Sequence, residues 1–474
     1  MSSQFLYERW LATVRTYANE TALTDFTTPA SPIRWTFSQL FQAAESPSTR
    51  HLPPPSSQSA ICNLQSAIPS QFLLALLNSW RSGLITCPLE SNQSAPDLSQ
   101  LAHVPPDIAH LKLTSGTSAA AKCIAFTGPQ LAADAANIVS TMRLTPEAPN
   151  LACISLAHSY GFSNLILPLL LHGIPLILLP APLPELLLRA AAQFKSVTLP
   201  AVPALWKTWL QSNSIPPNTR IAISAGAPLP LDLERTIYEK SNLKIHNFYG
   251  SSECGGIAYD RTETPRTAPN LAGTALDNVT LSLSDAGTLI VSSPAVGQTY
   301  LPEPQPRLQP GRFETSDLAE IRNGSVYLQG RATDLLNIAG RKASPDAIEA
   351  ILRTHPAVLE CIVFGIQNSD LPADANLPIS NHSEGGARLR PSEGGAWPYH
   401  KNFLPSSDRA DTVVAVVNTK ERIPISTLTE FLSQKLPPWQ IPRRWWFTDS
   451  LAPNHRGKIP RLEWKRRYLE QSPD

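Results

Sequence analysis

Apolar residues along this chain of 474 residues follow two spacings that alternate with one another. Short apolar runs, which are typical of buried strands, occur at 151–156, 175–179, 220–224 and 289–293. Apolar residues with helical spacing occur at 37–45, 71–83, 132–142 and 231–240. Strands that alternate with helices favour parallel sheets covered by helices. We therefore predict an α/β fold whose large N-terminal domain contains parallel-rich sheets layered with helices.

The pattern begins again, on a smaller scale, after about residue 332. Ser344 and Pro345 suit the start of a helix, and apolar residues follow them at helical spacing. Strand-like runs and a further helical run complete the segment, at 359–366, 411–418 and 423–436. We predict a large domain over 1–332 and a small C-terminal α+β domain over 333–474, since about 140 residues are enough for a domain.

The segment 368–411 interrupts this second pattern. It contains a near-repeat, SEGGARLRP followed by SEGGAWPY, and is rich in Gly, Ser and Pro. Such a composition buries too little apolar surface to offset the entropy lost on ordering. A glycine-rich repeat can also cradle phosphate, but nothing in the sequence places this one at the start of a helix. We predict a disordered surface insertion without a catalytic part.

The most apolar stretch, 165–188, is long enough to suggest a membrane span but contains five prolines. Each interior proline removes a hydrogen bond from a helix, whereas a spanning helix needs about 20 apolar residues with an intact ladder. We predict instead a buried helix, a turn at His172 and Gly173, and a buried strand over 174–179. No transmembrane segment is expected.

Composition and charge narrow the function further. The chain has 39 basic and 38 acidic side chains, so no overall field favours nucleic acid or an acidic membrane surface. Its six cysteines are far apart, which favours buried thiols in a reducing compartment over a disulfide framework. The first residues lack the basic and apolar segments of a signal peptide. We expect a cytoplasmic protein.

Two segments in the large domain carry groups suited to a nucleotide. Residues 111–131 contain a run of hydroxyl and small side chains followed by Lys122, which are groups that surround phosphate oxygens, although such runs are more often plain loops. The run lacks the Walker pattern. Residues 246–256 combine an aromatic residue, glycine, hydroxyls and Glu253, a carboxylate that can ligate Mg²⁺. A strand end followed by a turn is an equal alternative for this second segment.

Two further segments lie later in the chain. In 314–352, Asp317 can accept hydrogen bonds from ribose hydroxyls and Arg331 can donate to ribose or phosphate. In 454–461, Lys458 lies on a segment flanked by glycine. Taken separately, the first two residues are more often a surface ion pair and the lysine a solvated charge.

In this order and spacing, the four segments resemble those of the adenylate-forming superfamily of acyl-CoA synthetases, adenylation domains and luciferases, closest to the acyl- or aryl-CoA ligase branch. The resemblance covers nearly the whole chain and includes ISAGAPLP, 223–230, which is similar to the family's adenine-side segment. It implies activation of a carboxylic acid, with a fatty acid as the first choice and an aryl acid as the second. ATP and Mg²⁺ are the implied cofactors, and a thiol is the implied acceptor.

The resemblance also assigns roles to residues. The implied ATP-binding residues are Thr114, Ser115, Gly116, Thr117, Ser118, Lys122, Gly226, Ala227, Pro228, Tyr249, Gly250, Asp317 and Arg331. The implied catalytic residues are Lys458, Glu253 and Ser252, of which Glu253 also binds the metal. Thr333 corresponds to the hinge about which the family's mobile small domain rotates, and Gly340 to the position that lets the thiol approach.

The segment 155–165 bears on the substrate. Amino-acid-activating relatives have an aspartate there, whereas this chain has His158 and Tyr160, which resemble acyl-pocket residues. A histidine beside aromatic residues is also often a plain core residue. The chain continues for 16 residues beyond Lys458, so we expect free coenzyme A or a separate acyl carrier protein as the acceptor.

Departures from the family pattern keep a second hypothesis open. Ala119, Ala121 and Cys123 stand where the phosphate loop of the family usually has Gly, Pro and Gly. Only about 20 residues separate Glu90 from the loop, so that one strand–helix unit of the family is expected to be missing. The alternative is a catalytically weak, nucleotide-binding scaffold of the same fold. The presence of Lys458, Glu253, Asp317 and Arg331 favours the enzyme.

Overall fold

The structure is a computed structural model that describes residues 2–27, 31–46, 61–65, 69–90, 93, 104–113, 123–338, 340–367, 411–451 and 459–470. These residues form two compact units, the first ending at Ala332 and the second beginning at Thr333. Except for Asp411, the predicted insertion 368–411 lies outside the described residues.

The first unit consists of helices layered on two sheets. Its helices are α1 (Ser2–Tyr17), α2 (Phe37–Glu45), α3 (Pro69–Arg81), α4 (Gly128–Met142), α5 (Ser159–Gly161), α6 (Leu167–His172), α7 (Pro184–Ala191), α8 (Pro203–Gln211) and α9 (Leu231–Ser241). A π-helix, Phe162–Ile166, joins α5 to α6.

Its strands are β1 (Thr21–Asp25), β2 (Ile33–Thr36), β3 (Ile61–Gln65), β4 (Ile85–Leu89), β5 (His110–Leu113), β6 (Cys123–Phe126), β7 (Asn150–Ala152), β8 (Leu176–Leu178), β9 (Val197–Ala201), β10 (Thr219–Ser224), β11 (Ile245–Ser251), β12 (Gly255–Tyr259), β13 (Leu271–Ala275), β14 (Thr280–Leu283), β15 (Thr288–Ser292), β16 (Thr299–Leu301), β17 (Leu308–Gln309), β18 (Arg312–Arg322) and β19 (Ser325–Arg331).

The larger sheet changes character at β11. From β11 through β10, β9, β7 and β8 to β1 every pair of neighbours is parallel, and β2 closes this side antiparallel. On the other side of β11, the order β12-β13-β19-β18-β15-β14 is antiparallel. The prediction of an α/β fold is confirmed, and β11 is the strand at which the parallel half meets an antiparallel half.

The smaller sheet has the order β16-β6-β5-β4-β3. The pairs β3–β4 and β4–β5 are parallel, whereas β5–β6 and β6–β16 are antiparallel. Helix α3 packs on this sheet through Phe72, Leu73, Leu76 and Leu77, which are fully buried in the main core.

Local signals account for the helix starts. Thr36 and Thr127 each form a capping box, in which the threonine accepts from the backbone N–H of a glutamine three residues on and the glutamine side chain bonds back. The stretch 165–188 forms part of the π-helix, then α6, β8 and α7. Gly173 ends α6 with a φ of 72°, a conformation that favours glycine. The predicted helix, turn and strand are confirmed.

The predicted strand over 151–156 is wrong for most of its length, because only Asn150–Ala152 is a strand. Cys153 and Leu156 are nonetheless buried, at 5% exposure each. They pack into the core from irregular backbone that leads to α5, so their apolar character reflects burial rather than strand pairing.

The second unit has its own core. It contains the hairpin β20 (Leu336–Ile338) and β21 (Arg341–Ala343), and a sheet of β22 (Val358–Ile366), β23 (Thr412–Thr419) and β24 (Arg444–Phe447). Its helices are α10 (Pro345–Leu352), α11 (Ile425–Ser433) and α12 (Arg461–Glu470). Ser344 caps α10 as predicted, accepting from the N–H of Ala347 at 3.3 Å, and Ile348 and Leu352 are fully buried.

None of the helices among the described residues combines the length and the apolar character needed to cross a membrane.

Candidate active site

Part of the predicted site lies outside the described residues, namely Thr114 to Ser118, Lys122 and Lys458. The strands on either side of the predicted phosphate loop are antiparallel neighbours, and Leu113 pairs with Cys123. The loop therefore connects two adjacent strands of the smaller sheet.

The turn between β11 and β12 brings four predicted site residues together, from Tyr249 to Glu253. Gly250 lies opposite Gly256, and a Cβ on Gly250 would lie 2.6 Å from the carbonyl oxygen of Gly255. Only glycine fits at this distance. Because β11 is the last parallel strand, its carboxyl end is the edge where ligands bind in open α/β sheets.

Tyr249, Asp317 and Arg331 form one hydrogen-bonded group. The Tyr249 hydroxyl donates to Asp317 Oδ2 at 2.5 Å, and Arg331 Nε donates to Asp317 Oδ1 at 3.3 Å. Asp317 and Arg331 face each other across β18 and β19. Burial, with the Asp317 carboxylate, holds the pKa of Tyr249 well above its usual value. The tyrosine therefore keeps its proton and acts as the donor.

Glu253 has a partner that the sequence did not indicate. Tyr300, on β16, is buried and its hydroxyl donates to Glu253 Oε1 at 2.9 Å. Burial, with the nearby carboxylate, raises the pKa of Tyr300. The Glu253 carbonyl also accepts from the N–H of Gly297 at 2.8 Å. Both the backbone and the carboxylate of Glu253 are thus held by the segment that contains β16.

Ser252 lies beside the segment that was predicted to line the acyl pocket. Ser159 donates to Ser252 Oγ at 3.0 Å, and His158 caps α5 by accepting from the N–H of Tyr160 at 3.3 Å. His158, Ser159 and Ser252 line one cavity together with Glu90, Gln93, His110, Lys112 and Phe162. Tyr160 is half-buried and donates to the Ala201 carbonyl at 3.5 Å, with its ring tilted against Phe248.

One of the residues that line this cavity is a buried lysine. Lys112 is 5% exposed, donates to Ser163 Oγ at 3.4 Å, and lies 4.5 Å from the Phe126 ring centroid. Ser163 in turn donates to Asp134 at 2.5 Å. Burial lowers the pKa of Lys112 below its usual value, and the Asp134 carboxylate offsets part of this shift. Ser163 belongs to the π-helix, a conformation that is frequent at functional sites.

The predicted adenine-side residues, Gly226 to Pro228, follow the carboxyl end of β10. Gly226 has a φ of 86° and, like Pro228, is exposed. The N–H of Ala225 donates to the carbonyl of Ala201 at 3.2 Å, which ties the start of this segment to β9. Gly226 to Pro228 therefore follow β10, and Tyr249 lies near the end of β11, the parallel strand beside β10.

The two remaining predicted residues concern the second unit. Thr333 donates to its neighbour Asp334 at 3.0 Å within a short 3₁₀ turn, Ala332–Asp334. Gly340 lies between β20 and β21 with a φ of 85°. Its N–H donates to the Asn337 side chain at 3.1 Å, and a Cβ there would meet no atom within 4 Å.

The sequence did not reveal Tyr300, Lys112 or Asp134 as parts of this site. A lysine two residues before the hydroxyl run and a tyrosine in the run QTYLPEP carry no signal that separates them from surface residues. What they share is a contact with residues far away in the chain, and that is decided by the pairing of strands.

Comparison with known proteins agrees with this geometry. Residues 85–301 match the family model described as "AMP-binding enzyme". The uncharacterized acyl-CoA ligase YhfT of Bacillus subtilis is 24% identical over 283 residues, 57% of this chain and 50% of YhfT. The long-chain-fatty-acid–CoA ligase of the same organism is 22% identical over 388 residues, 77% of this chain and 62% of that ligase. The chain thus spans about half to two thirds of the length of these relatives.

Among solved structures, ATP-bound MatB from Rhodopseudomonas palustris has a TM-score of 0.78 at 19% identity, covering 98% of this chain and 99% of MatB. At this identity the likeness shows the fold. The family match identifies an AMP-binding domain over residues 85–301, in agreement with the resemblance that the four motifs indicated. The relatives that the chain matches are named CoA ligases.

Proposed function

We propose that the protein is an AMP-forming acid–thiol ligase of the cytoplasm, which converts a carboxylic acid and ATP to an acyl-adenylate and pyrophosphate and passes the acyl group to a thiol. The single observation that carries this proposal is the grouping at the end of β11. There, Tyr249 bonds to Asp317, Asp317 pairs with Arg331, and the next turn presents Ser252 and Glu253. The names of the matched relatives support the same reaction class.

The described residues suit the adenosine half of ATP. Asp317 presents a carboxylate for two ribose hydroxyls, and Arg331, which is 51% exposed, presents a guanidinium beside it. The Tyr249 ring and the backbone of Gly226 to Pro228 supply a stacking face and an edge for adenine. Thr114 to Ser118 and Lys122 are proposed to hold the phosphates, on the resemblance of their sequence.

Glu253 is suited to hold Mg²⁺. Its Oε1 accepts from Tyr300, and among the residues that the structure describes nothing donates to its Oε2. Protein sites usually hold Mg²⁺ through one or two carboxylates, with the remaining ligands from phosphates and water. When bound, Mg²⁺ neutralises charge on the phosphates.

Adenylation requires positioning and charge neutralisation more than covalent catalysis by the protein. A carboxylate oxygen of the acid forms a bond to the α-phosphorus of ATP, and the bond from that phosphorus to the bridging oxygen of pyrophosphate breaks. Ser252, which lies beside Ser159 and His158 in the cavity, is proposed to donate to the α-phosphate. Lys458 is proposed to bridge the acid and the α-phosphate. In the second step the thiol loses its proton, its sulfur bonds to the acyl carbon, and the bond from that carbon to the phosphate oxygen breaks to release AMP.

The test is pyrophosphate release across a panel of fatty, aryl and short-chain acids, with thioester formation measured on coenzyme A and on an acyl carrier protein. We expect ATP- and Mg²⁺-dependent release with at least one acid, with fatty acids preferred over aryl acids. ATP binding without release for any acid would instead identify a nucleotide-binding scaffold. Release without transfer to coenzyme A would identify a carrier protein as the acceptor.

Tyr300→Phe tests the proposed metal site. The variant keeps the buried ring but removes the hydroxyl that orients the Glu253 carboxylate, so we expect the Mg²⁺ concentration for half-maximal adenylation to rise about tenfold, near the low end for the loss of a charge-assisted hydrogen bond. The maximal rate at saturating Mg²⁺ should change less. The control is Tyr327→Phe, on β19, whose ring lies under Arg322 rather than at the site. An unchanged Mg²⁺ dependence in Tyr300→Phe would remove Glu253 from metal binding.

A further inference from the structure

A cluster of four buried charges lies close to the proposed adenine segment. Lys244, Glu234, Asp260 and Arg266 are 5%, 0%, 1% and 1% exposed as side chains. Lys244 bonds to Glu234 and, at 2.6 Å, to Asp260, and Arg266 Nε bonds to Glu234 at 2.9 Å. The cluster thus contains two cations and two anions, and their formal charges cancel. Buried ion pairs often stabilise a fold no more than apolar residues would, so stability alone gives little reason for this arrangement.

Arg266 does more than pair with Glu234, because its fork reaches three backbone carbonyls. Nη2 donates to Leu229 at 2.7 Å, and Nη1 donates to Pro269 at 3.3 Å and to Leu271 at 3.0 Å. The N–H of Arg266 itself donates to Glu234 at 3.0 Å. An arginine has five donors in a planar fork, so it can hold several groups at fixed separations.

The carbonyls that Arg266 holds connect the two walls of the proposed adenine site. Leu229 directly follows Pro228 at the end of the adenine segment. The Leu271 carbonyl also accepts from the Asn247 side chain at 3.1 Å, and Asn247 lies on β11 two residues before Tyr249. One guanidinium is therefore bonded to the end of one wall and, through one shared carbonyl, to the strand that carries the other.

We propose that Arg266 is a positioning residue that fixes the spacing between the Gly226–Pro228 segment and Tyr249, and thereby sets the affinity of the site for the adenine moiety. The proposal rests on the proposed function, since it takes these two segments as the walls of a nucleotide site. Arg266 acts through Leu229 and Leu271 and touches no substrate itself.

Arg266→Lys is the decisive variant. It keeps a charge opposite Glu234, but a single ammonium cannot reach the carboxylate and carbonyls on separate segments. We expect the dissociation constants of ATP and AMP, measured by calorimetry without any acid, to rise about tenfold, near the low end for the loss of one hydrogen bond to a charged group. Binding of inorganic tripolyphosphate, which lacks adenosine, should change less than about twofold.

Two controls separate positioning from general loosening. Arg261→Lys makes the same change in an arginine that holds the carbonyls of Thr274 and Ala275 on β13, away from the adenine segment; it should bind ATP normally. Lys244→Met breaks the same buried cluster without touching Leu229 or Leu271. It should lower the resistance to urea, and its ATP affinity should stay normal under conditions in which it is folded.

Several outcomes overturn the proposal. Normal ATP and AMP binding by Arg266→Lys would show that the cluster is structural only. Equal weakening of tripolyphosphate, or equal weakening in Lys244→Met, would show general loosening of the site. If Arg266→Lys does not fold, Asn247→Ala, which removes the second donor to Leu271, must weaken AMP but not tripolyphosphate for the proposal to stand. If the wild-type protein binds neither ATP nor AMP, the proposed function fails and the positioning role fails with it.

Discussion

Lys458→Ala should lower the rate of acyl-adenylate formation by roughly 10²–10³, the usual cost of losing a charge that acts in the transition state. The resemblance places Lys458 between the acid and the α-phosphate, where its ammonium would neutralise charge developing as pyrophosphate leaves. Supplied with pre-made acyl-adenylate, the same variant should form thioester at a near-normal rate. Rapid-quench measurement of each half-reaction decides the outcome.

Gly340→Leu should show the opposite pattern, with normal adenylation and a stalled thiol step. Gly340 has a φ of 85°, so leucine adds strain of about 1–2 kcal/mol. A Cβ there meets no atom within 4 Å, so the variant should fold. The matched control is Gly324→Leu, in the turn between β18 and β19, which also has a positive φ, 77°, and open space around a Cβ. Equal damage to both half-reactions in the Lys458 and Gly340 variants would contradict the assignment of the two residues to separate steps.

Arg461→Gln should destabilise the second unit by about 3 kcal/mol, near the low end for a broken buried ion pair, because part of the cluster is exposed. Arg461, the first residue of α12, bonds to Asp334 at 2.6 Å, Asp346 at 2.5 Å and Glu349 at 2.8 Å. These acids come from the 3₁₀ turn and from α10. Their attraction to Arg461 raises the pKa of the guanidinium despite its burial. Without the Arg461 guanidinium, the three carboxylates lie together and less positive charge offsets their mutual repulsion.

Hydrogen exchange in β22 and β23, which form the core of this unit, measures the loss directly. Arg467→Gln is the control, since Arg467 lies on the same helix and pairs with Glu463 at the surface, where both side chains are more than a third exposed. That pair should contribute less than about 0.5 kcal/mol. Similar exchange rates in the two variants would show that the Arg461 cluster does not hold α12 to the unit.

Residues close together in the chain were predictable from the sequence. Ser344 begins a helix because its side chain accepts from an N–H group three residues away, and Gly173 ends one because its φ is positive. The turn from Gly250 to Glu253 is equally local. The class of protein followed from the order of four such local motifs, each of which keeps its residue types within a few positions.

Contacts between distant residues were decided only by the tertiary structure. Tyr249 and Asp317 are 68 positions apart, Ser159 and Ser252 are 93 apart, and Tyr300 reaches Glu253 because β16 pairs with β6 rather than with its neighbours in the chain. The same holds for Arg266, an arginine in a loop whose four acceptors come from α9, from the residue after the Gly226–Pro228 segment, from the loop before β13 and from the start of β13. Periodicity reports whether a side chain is buried but not which polar group meets it. The order of the strands decides that, because it sets which backbone segments lie within hydrogen-bonding distance of one another.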